Sequence, residues 1–135
     1  MWTCPECNRQ FKNRNQPHSC GDFSIDKVFK KYPSTIFQFF KQIHDNMASL
    51  PGVNVYPVKN GVMYSVNSTF LALKPHSNYL AVEFISSEKH DEFPVEKCVR
   101  ISKTKFANIL RVDSYEAIDE QLINWLNEAY ITNHT

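Results

Sequence analysis

Apolar residues recur at helical spacing in two stretches of this 135-residue chain. The first runs through Ile36, Phe37, Phe40, Ile43, Met47 and Leu50. It begins behind Pro33-Ser34, where a proline presets the backbone for a helix start, and ends at Pro51-Gly52. From Val53 to Val112 the pattern changes to short runs suited to strands: Val53 to Val58, Val62 to Val66, Thr69 to Lys74, Tyr79 to Ile85, Val99 to Ser102 and Phe106 to Val112. Lys59-Asn60-Gly61, Asn67-Ser68 and His76-Ser77-Asn78 separate several of them, and turns this compact make neighbouring strands antiparallel. Asp113-Ser114 then predicts a second helix, with Glu116 placed for a capping box if Asp113 is the N-cap. Its apolar stripe is Ile118, Leu122, Trp125, Leu126 and Ala129. The simplest packing that buries two such stripes is an α+β domain, an antiparallel sheet of about five to six strands with both helices on one face.

Strand alternation sorts Val62, Tyr64, Val66, Phe70, Ala72, Leu80, Val82 and Phe84 into one set, and Met63, Leu71, Leu73, Ala81 and Ile85 into the other. Both sets are largely apolar. A sheet with helices on one face should be polar on the other, so the second face needs a cover: the chain itself, an N-terminal module, a second copy or a ligand. Lys59, Lys74, Arg100 and Arg111 fall at strand ends or positions where they either line a polar edge or stand as single solvated charges.

Ahead of this domain, Cys4-Pro5-Glu6-Cys7 is followed after ten residues by His18-Ser19-Cys20. A C-x2-C pair with a second short-spaced pair suits one tetrahedral zinc, which takes thiolate and imidazole ligands. A disulfide or free thiols are the competing state, and iron is the competing metal. No charged stretch followed by an apolar run marks a signal peptide, which favours a reducing, cytoplasmic setting and hence metal. Four protein ligands would make the Zn2+ structural, with no open position for water or substrate. Pro17 before His18 disfavours a recognition helix of the DNA-reading finger type. Trp2 and Phe11 are too few large apolar residues to fold this segment alone. The expected layout is a metal module over residues 1–22 and an α+β domain over residues 23–135.

Charge narrows the function classes. The chain has a formal net charge of +1, and residues 1–21 hold Arg9, Lys12 and Arg14 against Glu6, so the remainder is slightly acidic. Such a balance is far from that of a strongly basic nucleic-acid binder, and binding of that kind would need a local patch. No apolar stretch approaches the roughly 20 residues of a membrane span. Catalytic sets are not readable. His44 falls in the first helix away from a Ser or Cys partner, His76 in a turn, and His134 in the tail. His90 stands among Glu88, Asp91 and Glu92, a group that reads as an exposed charged loop or a second cation site. Cys98 reads as an inert thiol, and three glycines in all form no phosphate loop.

Several motifs recur together: Trp2-x-Cys4-Pro5-x-Cys7-x-Arg9-x-Phe11, Asn15-Gln16-x-His18-Ser19-Cys20, Pro57-x-Lys59, Thr69-Phe70-x-Ala72, Arg100-Ile101-Ser102, and Asp119-x-x-Leu122-x-x-Trp125-Leu126-x-x-Ala129-Tyr130. In these the chain resembles an uncharacterised bacterial domain family of unknown function, some of whose members carry this N-terminal finger. The resemblance implies the α+β domain and an accessory, binding role, and supplies no catalytic residues. A histidine that family members often carry before the arginine-bearing strand end is absent here, where Asn108 and Ile109 stand. Two functional classes follow. One is a non-enzymatic binding module recognising nucleic acid or a protein partner through Arg9, Lys12 and Arg14 and the open sheet face, with a homodimer as a further way to cover that face. The other is a small-molecule binder or small enzyme with a pocket near Lys59, Tyr64, Arg100 and Arg111.

Overall fold

In the computed structural model the chain is described over residues 1–3, 10–14, 24–90 and 92–134. Two short strands, β1 (Trp2–Thr3) and β2 (Gln10–Phe11), pair antiparallel near the N-terminus. The main domain follows in the order α1 (Ile25–Phe29), α2 (Ser34–Met47), β3 (Asn54–Val58), β4 (Gly61–Ser65), β5 (Thr69–Pro75), β6 (Leu80–Ser86), β7 (Lys97–Arg100), β8 (Phe106–Val112) and α3 (Glu120–His134). The six strands β3 to β8 form one antiparallel sheet in the order β3-β4-β5-β6-β8-β7. Side chains of all three helices share one buried cluster with one face of this sheet, so the fold is α+β as the patterning predicts.

Helix α2 starts at Ser34, as Pro33-Ser34 implies, and buries Ile36, Phe39, Phe40, Ile43 and Met47. It ends at Met47, earlier than Pro51-Gly52 implies, and the turn that follows reaches Gly52, whose φ of +77° is a left-handed conformation that costs an L side chain about 1–2 kcal/mol. The expected start of the last helix is displaced. Asp113-Ser114 leads only into a 3₁₀ turn, Tyr115–Ala117, and Ser114 makes no side-chain cap. The helix begins at Glu120 because the Asp119 carboxylate accepts from Leu122 N–H at 2.9 Å, satisfying an amide that the first turn leaves without a partner. Helix α1, too short to show a period, was not legible in the apolar pattern; the Ser24 hydroxyl caps it by accepting from Lys27 N–H at 3.2 Å.

The expected sorting of strand faces fails at one point. Tyr64 pairs with Leu71 but Ser65 pairs with Thr69, so Phe70 has no partner on β4. This irregularity inserts one residue and changes the phase of alternation. Leu71 and Leu73 therefore share the helix-covered face with Tyr64 and Val62, while Ala72 joins Met63 on the outer face. Phe70 is also fully buried and packs edge-on to Tyr130 of α3. The outer face is more polar than the sorting suggests, carrying a Lys74–Glu83 ion pair at 3.9 Å and Arg111 paired with Glu96 at 2.8 Å. Strand β7 ends at Arg100, so Ile101 and Ser102 lie in the β7–β8 turn, where both amides donate to Lys105 O.

Two candidate caps can be told apart by mutation. Asp119→Ala is expected to cost about 1 kcal/mol, the usual value of an N-cap, whereas Ser114→Ala stays within about 0.5 kcal/mol. Urea midpoints at unchanged slope measure the difference.

Candidate functional site

Lys27, Lys30 and Lys31 are spaced i, i+3, i+4 in the run Ile25 to Tyr32, so one side of the α1 turn carries all three. The opposite side carries Val28 and Phe29, both buried, with Phe29 against Phe40 at a ring separation of 4.6 Å. Burial of that apolar side fixes how the lysines are presented. Across from them Lys59 and Asn60 form the tight turn between β3 and β4, closed by the Val58–Gly61 pair. The four lysines, with Val28, Tyr32 and Asn60, line one open cavity of about 490 Å³. No acidic residue lines it among the described residues. Lys30, Lys31 and Lys59 have no carboxylate partner there, and the Lys31 ammonium lies 5.8 Å from the centre of the Tyr32 ring. Four like charges facing one groove form a local positive field even though the whole chain is nearly neutral.

Of the residues singled out from sequence, Cys4, Cys7, Arg9, His18 and Cys20 lie outside the described residues. Lys12 and Arg14 are exposed and line an open cavity of about 410 Å³ with Met1 and Trp2. Lys59, Tyr64, Arg100 and Arg111 are not brought together: Lys59 is in the turn at the β3 edge of the sheet, and Arg100 is on β7 at the opposite edge. The Arg100 guanidinium donates to Ser102 O at 3.1 Å and Lys103 O at 2.7 Å, bracing the β7–β8 turn. Arg111 is held between Glu96 and the face of Tyr79, 4.4 Å away. Tyr64 is fully buried with its hydroxyl 2.7 Å from His44 Nδ1, so it offers no surface to a partner. Sequence reasoning missed Lys27, Lys30 and Lys31, although their helical spacing was a readable signal.

His90 departs from the exposed loop expected of it. It is buried, its ring 4.8 Å from Trp125 and 5.7 Å from Phe84, with Nδ1 3.3 Å from a Glu92 carboxylate oxygen. Among the described residues no cluster of three His, Cys, Asp or Glu side chains could hold a metal ion. No helix of the described residues is long and apolar enough to cross a membrane.

An antiparallel sheet covered on one face by three helices, with a lysine-lined groove at one edge, defines an α+β domain. The family described as a domain of unknown function, DUF5655, matches residues 25–133, and the chain belongs to it. The match begins after the Cys4 to Cys20 set. No curated protein and no solved structure matches the chain.

Burial lowers the His44 pKa from its ordinary 6.5, opposed in part by Asp45, and burial followed by Asp45 pushes that of Tyr64 well up. Both groups stay neutral at pH 7, and the imidazole tautomer sets which of them donates in the bond they share. Below about pH 6.5 the unfolded chain binds a proton at this histidine that the folded chain resists, so the His44 contribution to stability is lost as pH falls from there toward the lowered pKa. Thermal melts should show a lower midpoint at pH 5.5 than at pH 7.5, and His44→Gln should shrink that difference. Tyr64→Phe is expected to cost about 1 kcal/mol at pH 7.5 through the lost hydrogen bond.

Proposed function

We propose that the chain is a non-enzymatic accessory module that recognises nucleic acid through its phosphates and carries one structural Zn2+. The observation that carries the nucleic-acid reading is the groove of Lys27, Lys30, Lys31 and Lys59, with no acid lining it among the described residues. Lysines attract phosphate as mobile point charges without reading base edges, so contact of this kind positions a strand and carries little sequence preference. Tyr32 in the same groove adds an aromatic surface of the type on which unpaired bases stack. Arg9, Lys12 and Arg14 of the N-terminal segment would extend the phosphate contacts.

For the metal, Cys4, Cys7, His18 and Cys20 are the proposed ligands. Supporting this, the Trp2–Phe11 and Thr3–Gln10 pairs bring together the two ends of the segment that contains Cys4 and Cys7. Such a pairing of the flanking strands is compatible with a C-x2-C pair that approaches one ion from a turn. The group would supply folding energy and no chemistry, since four protein ligands close its coordination. It would hold the N-terminal segment, with Arg9, Lys12 and Arg14, in one conformation.

Two measurements test the proposal. Binding of a short single-stranded DNA or RNA, followed by fluorescence anisotropy, is expected to weaken roughly fiftyfold between about 50 and about 200 mM salt if about four phosphates are neutralised. Replacing Lys27, Lys30, Lys31 and Lys59 together by Ala should weaken it uniformly across sequences and flatten the salt slope. An unchanged slope, or no binding at low salt, would favour a protein partner instead. Elemental analysis should find one zinc per chain, lost in the double variant Cys4→Ser, Cys20→Ser; metal content unaffected by that change would remove the ligand assignment. Chelation is expected to unfold the N-terminal segment and leave the main domain's cooperative melt in place, because the roughly 10–16 kcal/mol typical of such sites supports a segment with almost no core.

A further inference from the structure

Met63, Ala72 and Glu83 lie side by side across β4, β5 and β6 on the sheet face away from the helices. With Ile85 they form the floor of a cavity of about 260 Å³ overhung by Ile101 and Lys105 of the β7–β8 turn. Its surface is mainly apolar, and its volume lies just below the roughly 300–1,000 Å³ of drug-sized ligand pockets, which suits a small ligand. The polar groups at its end are fixed in place. Asn133, at 1 % exposure, accepts from Lys105 Nζ at 2.9 Å and from Ser68 Oγ at 3.1 Å. Arg100 braces the turn through the carbonyls of Ser102 and Lys103.

The charges around this cavity are unequal. Glu83 has Lys74 as its ion-pair partner, while Lys105 has no carboxylate partner among the described residues and spends a single donor on the neutral Asn133 amide. An ammonium has three donors, so two remain for a ligand at the end of an apolar slot. Ile101 is 54 % exposed beside the mouth, an apolar surface that a ligand tail would cover. We infer that this cavity binds a short amphiphilic monocarboxylate, its carboxylate on Lys105 and its hydrocarbon tail between Ile101 and the Met63, Ala72 and Ile85 floor. A cationic amphiphile would meet Lys105 as a like charge. A phosphate-bearing ligand would lack the planar fork or further cations that usually hold a dianion. The site is separate from the lysine groove at the β3–β4 turn and stands whether or not that groove binds nucleic acid.

Octanoate, octylamine and 1-octanol titrated into the full chain test the inference by calorimetry and amide chemical-shift mapping. Octanoate should bind about tenfold or more tightly than octylamine, the expected worth of a charge-assisted hydrogen bond, with shifts centred on Ala72, Ile85 and Ile101. Lys105→Met should lower octanoate affinity to that of 1-octanol, Lys105→Arg should keep it, and Lys59→Ala should leave it unaltered. Ile101→Asp, at an exposed position that folding tolerates, should weaken octanoate by placing a like charge at the mouth. Equal binding of octanoate and octylamine, unchanged affinity in Lys105→Met, shifts centred on Lys27 to Lys31, or no octanoate binding at millimolar concentration would each overturn the assignment.

Discussion

One buried amide holds the working parts of this domain in register. Asn133, near the end of α3, donates to Ile85 O at 3.2 Å and Ala129 O at 2.7 Å, and accepts from Ser68 Oγ and Lys105 Nζ. All four of its hydrogen-bonding positions are used. A buried amide left partly unpaired costs about 1–3 kcal/mol per lost partner, so the helix end, β6, the β4–β5 turn and the β7–β8 turn can share only one relative placement. Asn108 provides the contrast. Its Nδ2 donates to Ser86 Oγ at 2.7 Å and Phe84 O at 3.2 Å, yet its buried Oδ1 accepts nothing among the described residues. The polar interior is therefore fully satisfied at one point and incompletely at another.

Electrostatic complementarity divides the surface in a similar way. On the outer sheet face, Lys74 meets Glu83 and Arg111 meets Glu96, and exposed pairs of this kind contribute about 0–1 kcal/mol each. Their effect is local neutrality. Lys30, Lys31 and Lys59 have no such partner among the described residues, so positive charge gathers in the groove at the β3 edge. A net charge of +1 conceals this arrangement, since formal charge sums over the very pairs that cancel.

Much of the fold was legible because single-face burial imposes a period. Ile36, Phe40, Ile43 and Met47 repeat at helical spacing and all are buried, and the strands from Val53 to Val112 fall close to where alternation and turn residues place them. The failures have physical causes. Asp113 has the capping-box partner that points to a helix start, yet Asp113-Ser114 leads only into the 3₁₀ turn, where Tyr115 packs on Phe39 at 5.0 Å, and Asp119 caps the helix instead. The extra residue at Phe70 shifts alternation without any glycine or proline to announce it. The lysine groove was half visible: Lys59 stood out at a turn, but its partners on α1 come from a segment some thirty residues away that only folding brings near. Tyr64 was misjudged because an aromatic on a strand reads alike whether it faces a partner or a buried histidine.

The bonds that close the domain reach far back along the chain. Tyr130 donates to Pro51 O at 2.6 Å across 79 residues, and Asn133 receives from Ser68 across 65. During synthesis, the hairpins of β3, β4, β5 and β6 can pair as each leaves the ribosome, because those contacts are local. Their inner face, with Leu71, Leu73, Val82 and Phe84, can receive α1 and α2, which emerge first, and stays open where α3 will pack. A translating ribosome thus carries a partly formed sheet whose apolar side is covered only in part, and a nascent-chain chaperone would find its substrate during that interval.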